Sequence, residues 1–165
     1  MTISRFILLA ALAALGACSA QDKASADSPA PLAQPARHPE SGLEVAPLAI
    51  TQGGKVHHFM VEVAVSEEEQ AKGLMFRRQM GADEGMIFPR RPPDMASFWM
   101  RNTVIPLDMI FIGTDGRILN IAANTVPYSL DSHASAGIAA AVLELNGGRA
   151  AELGIEPGAR VEWPR

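Results

Sequence analysis

Residues Pro47 to Val65 read PLAITQGGKVHHFMVEVAV. Two apolar stretches flank the pair Gly53-Gly54. Glycine reaches the positive φ angles that a tight hairpin turn demands, so this stretch predicts two antiparallel strands. Along the second strand Phe59, Val61, Val63 and Val65 alternate onto one face, and His58, Met60, Glu62 and Ala64 onto the other.

Downstream of the hairpin, SEEEQAKG has the signature of a short helix. Ser66 stands at its N-cap, Glu69 at the capping-box position and Gly73 at its stop. GMIF (Gly85–Phe88) is followed by a proline-rich loop, PRRPPD. Strands are expected at Ala96–Met100 and Asp108–Ile112, then a GTDG turn, then a strand at Arg117–Ala123. A polar loop over 124–137 leads to a strand at Ala140–Leu145, a short helix in GGRAAELG and a last strand at Ala159–Trp163. Many short strands at close spacing predict a mainly β fold, a small β-sandwich or open barrel with two short helices.

Upstream, the pattern changes. From Ser19 to about Pro47 the chain is rich in Ala, Ser and Pro without apolar periodicity, which predicts an extended tether. Before it, FILLAALAALGA is an apolar run over residues 6–17, shorter than the roughly 18 residues of a membrane-spanning helix. It reads as the core of an export signal. The run ends in Leu15-Gly16-Ala17-Cys18, which resembles the lipobox of bacterial lipoproteins. That resemblance implies lipidation at Cys18, and the Ser19 that follows implies sorting to the outer membrane. Cleavage after Ala20 would instead leave a periplasmic or secreted protein. The expected organisation is a signal peptide over 1–17, a lipidated Cys and tether over 18–47, and a β domain over 48–165.

Cys18 is the only cysteine, so a mature domain has no disulfide, no thiol nucleophile and no Cys-based metal site. A net charge of −4 over 165 residues gives no electrostatic footprint for nucleic acid. No cofactor motif is present: neither a Walker loop nor GxGxxG nor HExxH occurs.

The stretch FWMRNTVIPLD, Phe98–Asp108, sets three bulky residues against Arg101, Asn102 and Thr103. With GLMFR (Gly73–Arg77), GMIF and VLELNGG (Val142–Gly148), it makes four ordered motifs that resemble the family known as DUF192, or UPF0127. The resemblance runs from about Val61 to Trp163. It implies a compact, mainly β fold and brings no activity with it. One position departs: Gln70 stands where the family helix usually carries an arginine.

Several site readings follow from the residues. Phe98 and Met100 point to the core, and Trp99 falls on the side of Ser97 and Arg101, as an aromatic platform beside a guanidinium. Asp108 and Glu144 each share a strand face with apolar residues, so each sits at a rim or is paired inside. Convergence of Arg101, Asn102, Asp108 and Glu144 predicts one polar cluster, either structural or a ligand site with Trp99. As chemistry, Asp108 and Glu144 form a general acid–base pair of a small hydrolase, or oxygen ligands for calcium. His58 and Met60 are the best pair for Cu(I) in a thiol-free exported protein. Ser, Asp and His in SLDSHAS (Ser129–Ser135) read as a solvated loop, as do Arg90 and Arg91. The expected role is a non-catalytic binding domain at the cell envelope. It would be held to a membrane through Cys18, with a small molecule, glycan or protein as partner.

Overall fold

The computed structural model describes residues 36–164. The chain divides after residue 33 into two units, and the second holds every described residue. The signal sequence, Cys18 and most of the expected tether lie outside the described residues.

The hairpin forms as β1 (Val45–Gln52) and β2 (Lys55–Val63), antiparallel, with Leu48 opposite Phe59 and Ile50 opposite His57. Gly53 and Gly54 turn it with φ of 53° and 82°, values that a residue with a Cβ adopts only under strain. Phe59 and Val61 are buried, and His58 and Met60 are exposed, as the alternation requires. The pattern breaks at the end of the strand. Glu62 and Ala64 are buried and Val65 is exposed, because the second face of β2 is covered there as well.

Helix α1 (Glu67–Lys72) has the reciprocal cap. Ser66 Oγ accepts from the Glu69 N–H at 3.2 Å, and Glu69 Oε2 accepts from the N–H groups of Ser66 and Val65, both at 2.8 Å. These bonds hold the Glu69 carboxyl below its ordinary titration range. Gly73 ends the helix at φ 46°. The helix serves as the crossover that lets β3 (Glu84–Phe98) run parallel to β2.

Strand β3 corrects the sequence reading. The proline loop PRRPPD lies inside one strand of 15 residues, and pairing with the neighbouring strand shifts register between Pro89 and Asp94. Prolines cannot donate to a ladder, so they fall where the ladder is interrupted. The strand stops at Phe98 rather than Met100. Then come β4 (Leu107–Gly113), β5 (Ile118–Thr125), β6 (His133–Asn146), α2 (Arg149–Leu153) and β7 (Arg160–Glu162). The loop expected over 124–137 is shorter, since β6 already begins at His133.

Of the two expected architectures the chain adopts the open barrel. A single sheet in the order β5-β4-β6-β3-β2-β1-β7 curls into a half-barrel. Bonds from Ile118 N–H to Ala159 O at 2.9 Å and from Val161 N–H to Gly116 O at 2.8 Å bring β7 against the β4–β5 turn. Both faces of the sheet carry a core. Leu48, Ile50, Phe59, Val61, Ile110 and Leu143 pack on one, and Met86, Phe88, Met100, Met109, Phe111 and Val142 on the other. Every residue of β4 is therefore buried, and each large apolar side chain contributes about 1.5–3 kcal/mol relative to exposure.

The domain also begins earlier than the expected boundary at Leu48. Strand β1 starts at Val45, and residues 36–44 fold back on themselves, with His38 N–H bonded to Leu43 O and Gly42 N–H to His38 O, both at 2.8 Å. Glu62, 3% exposed, fastens this strap. It accepts from Arg77 Nη1 at 2.8 Å and from Nη2 at 3.1 Å, and Ser41 Oγ donates to it. Arg77 Nε also meets Glu40 at 3.2 Å.

Candidate functional site

The site grows out of the corner that follows β3. Phe98 stacks edge-on to Phe88 and Phe111, with ring centroids 5.1 and 6.4 Å apart. Met100 is fully buried. These anchors leave Trp99 between them, 49% exposed. The Arg101 guanidinium lies 5.5 Å from the Trp99 ring centroid, within the range of a cation–π contact. Asn102 takes φ 56°, and its carbonyl accepts from Phe76 N–H at 2.9 Å. Thr103 N–H bonds to Met100 O at 3.1 Å, and Pro106 O accepts from Gly147 N–H at 2.8 Å. The corner thus satisfies its backbone groups internally, as a buried turn must.

Beside the corner lies a cavity of about 410 Å³, within the size range of small-molecule pockets. The C-terminal end of α1 and residues 73–75 form one wall, with Lys72 among them. Arg90 and Phe88 come from β3, Trp99, Arg101 and Thr103 from the corner, and Glu144 from β6. Glu144 is 5% exposed. Its cross-strand partners are Met86 and Met109, so its carboxyl is set among thioethers. Among the described residues it has no hydrogen-bond or ion-pair partner. Burial raises its pKa from 4.5 to about 8, because a low-dielectric site disfavours the charged form. Near neutral pH it is mostly a neutral acid that can donate a hydrogen bond.

Of the residues grouped in the sequence reading, Trp99, Arg101 and Glu144 line this one cavity. Asp108 does not join them. In the β4–β6 ladder Asp108 faces Leu145 while Met109 faces Glu144, which puts the two carboxyls on opposite faces of the sheet. Asp108 is fully buried and accepts three backbone N–H groups: Asn124 at 2.7 Å, Gly148 at 2.9 Å and Ala150 at 2.8 Å. It caps α2 and ties that helix to the β5 end. The acid–base pair and the shared calcium site both need these carboxyls together, and the ladder keeps them apart. Asn102 points elsewhere, its Nδ2 3.7 Å from Met75 Sδ.

His58 and Met60 share an exposed groove with Pro47 and Trp163, and no group of three His, Cys, Asp or Glu suited to a metal occurs among the described residues. Ser129 Oγ donates to Asp131 at 2.9 Å in an exposed loop, and His133 stands in β6 opposite Phe98. The sequence gives no signal for Lys72, and it reads Arg90 as a solvated loop residue, yet both line the cavity. Exposed cations are common, and only the crossover of α1 over β3 brings these two to Trp99. Gln70 donates to Pro89 O at 3.0 Å and to Ala64 O at 3.2 Å, so it braces α1 against β3.

A curled half-barrel with a cation-walled cavity beside one corner, lined by one buried acid, defines a small β domain. The chain belongs to the family DUF192, "Uncharacterized ACR, COG1430", which matches residues 48–163. It is similar to a crystal structure of a protein of unknown function from Novosphingobium aromaticivorans DSM 12444. The two are 59% identical with a TM-score of 0.77, over 80% of this chain and 94% of that one. A second, from Sinorhizobium meliloti 1021 and described as a "putative transcription regulator", is 40% identical with a TM-score of 0.71, over 73% of this chain and 95% of that one. No curated protein matches the chain.

Proposed function

We propose that this chain is a non-catalytic binding domain of the cell envelope, with the Trp99–Arg101–Glu144 cavity as its binding site. One observation carries the reading: Glu144 is nearly fully buried, lines the cavity and has no partner among the described residues. No group among the described residues satisfies this carboxyl, so a ligand in the cavity would be its hydrogen-bond partner. With Asp108 engaged by three backbone donors on the opposite face, Glu144 has no second carboxyl for acid–base work. The envelope location rests on the sequence alone, on the apolar leader and on Leu15-Gly16-Ala17-Cys18. In this reading Cys18 carries the lipid anchor and the following residues form the tether, with a small molecule, glycan or protein of the envelope as partner.

A thermal-shift screen of the full chain tests the reading, with glycans, peptidoglycan fragments, lipids, Cu(I), Zn²⁺ and Ca²⁺ as probes. A ligand at a hundred times its dissociation constant adds about 2.7 kcal/mol to the folded state, a shift of several degrees. The expected result is at least one shift that Trp99→Ala abolishes. A shift from Cu(I) lost in Met60→Leu would move the site to the His58 groove, and a flat panel would oppose small-ligand binding altogether.

A further inference from the structure

The cavity's charges are one-sided. Lys72, Arg90 and Arg101 line it, and none of the three has a carboxylate partner among the described residues. Surface cations are often merely solvated, but Arg90 is not simply at the surface. Its Nε is buried and has no hydrogen-bond partner among the described residues. The only acid in the lining is Glu144. Burial keeps that group neutral over much of the physiological range, so the three cations face no compensating charge inside the cavity. Trp99 adds a half-exposed ring whose one face is already occupied by Arg101.

Resting on the binding reading above, we propose that this cavity takes a small organic anion. A carboxylate or phosphate meets Lys72, Arg90 and Arg101, and the flat ring that bears it lies along Trp99. Guanidinium groups suit such oxyanions because their N–H donors match the spacing of two oxygens. A hydroxyl or carbonyl on the ligand accepts the Glu144 proton, which supplies the missing hydrogen bond. The affinity then depends on pH. The charged groups around the cavity are Lys72 from α1, Arg90 from β3 and Arg101 from the corner. The sheet neighbours of Glu144 in β3 and β4 are Met86 and Met109. As Glu144 ionises, its negative charge opposes the bound anion and its donor proton is lost.

Isothermal titration of the full chain tests this with three probes: benzoate, phenyl phosphate and neutral benzyl alcohol. The expected result is one site per chain for at least one anion, with affinity roughly tenfold or more above that of benzyl alcohol. Arg90→Ala and Arg101→Ala each weaken that anion several-fold, while Arg101→Lys keeps most of the binding. The affinity of benzoate falls as pH rises from about 7 to about 9 in the native chain and stays level in Glu144→Gln. Equal binding of benzyl alcohol and the anions, lost in Trp99→Ala, would overturn the anion assignment and leave the binding site standing. Silence from both anions up to about 10 mM would also overturn the anion assignment. The separate thermal-shift panel then decides whether the cavity binds anything at all.

Discussion

Two buried acids on adjacent strands face opposite fates. Asp108 gives its oxygens to three backbone N–H groups, so it is a structural residue at the centre of the motifs IPLD and NGG. Gly147 makes that junction possible, since a Cβ there would come within 2.6 Å of Asn124 Oδ1 and 2.8 Å of Pro106 Cβ. Asp108→Asn removes the charge and turns an amide N–H₂ toward other donors. Its expected cost is about 3 kcal/mol, read as a lower urea midpoint at unchanged slope. Glu144 behaves in the contrary way. Its folded-state pKa of about 8 lies above the ordinary 4.5, so between these values the native state holds a proton that the unfolded state has released. Stability therefore falls as pH rises through that window, by up to about 1.4 kcal/mol per pH unit. Urea titrations of Glu144→Gln and the native chain should agree near pH 4 and separate progressively toward pH 8, with the variant the more stable. A constant difference across that range would contradict the burial argument.

At the level of elements, the cavity wall depends on a helix of only six residues. Such a helix has little stability of its own, and its capping box supplies much of what holds it. Ser66→Ala should cost about 1 kcal/mol and loosen any ligand seated against Lys72. A variant with reduced melting temperature but unchanged cavity affinity would show that α1 is not needed to shape the site. This helix was legible in the sequence because a cap is local, as was the hairpin, whose glycine pair announces itself. Strand β3 was not legible. PRRPPD carries every local sign of a loop, and only pairing with β6 on both sides of the prolines makes it one strand. The motif GMIF was visible, but its reason was not. A Cβ on Gly85 would sit 2.6 Å from the Glu144 carbonyl oxygen, so the glycine is needed where β3 crosses closely over β6. The candidate site divides along the same line. Trp99 and Arg101 could be read from alternation beside one turn, and Glu144 from an acid on an apolar face. Separating Asp108 from Glu144 required the β4–β6 register, which no local pattern encodes.

For the whole molecule, the strap over residues 36–44 decides where the domain begins. Arg77 joins it to the sheet by pairing with buried Glu62 and exposed Glu40. Arg77→Ala would leave Glu62 without its guanidinium partner and with only the Ser41 hydroxyl and the His38 imidazole beside it, an expected loss of about 3 kcal/mol. Arg77→Ala combined with Glu62→Leu should recover a large part of it, because the orphaned charge is then gone. Hydrogen exchange would locate the effect: amides of 38–45 should lose protection in the single variant before those of β4 and β6 do.

The sheet order has a consequence for how the chain is made. Strand β7 pairs with β1, Ile50 opposite Val161, across nearly the full length of the described chain. Until β7 is in place, the outer edge of β1 is bare over Ala49–Thr51. The fold is a loop of chain fastened by its own last strand, and an unfastened edge of this kind recruits neighbouring chains. The two ends of the domain, brought side by side, are also where new termini could be exchanged for old by a short linker without breaking the sheet.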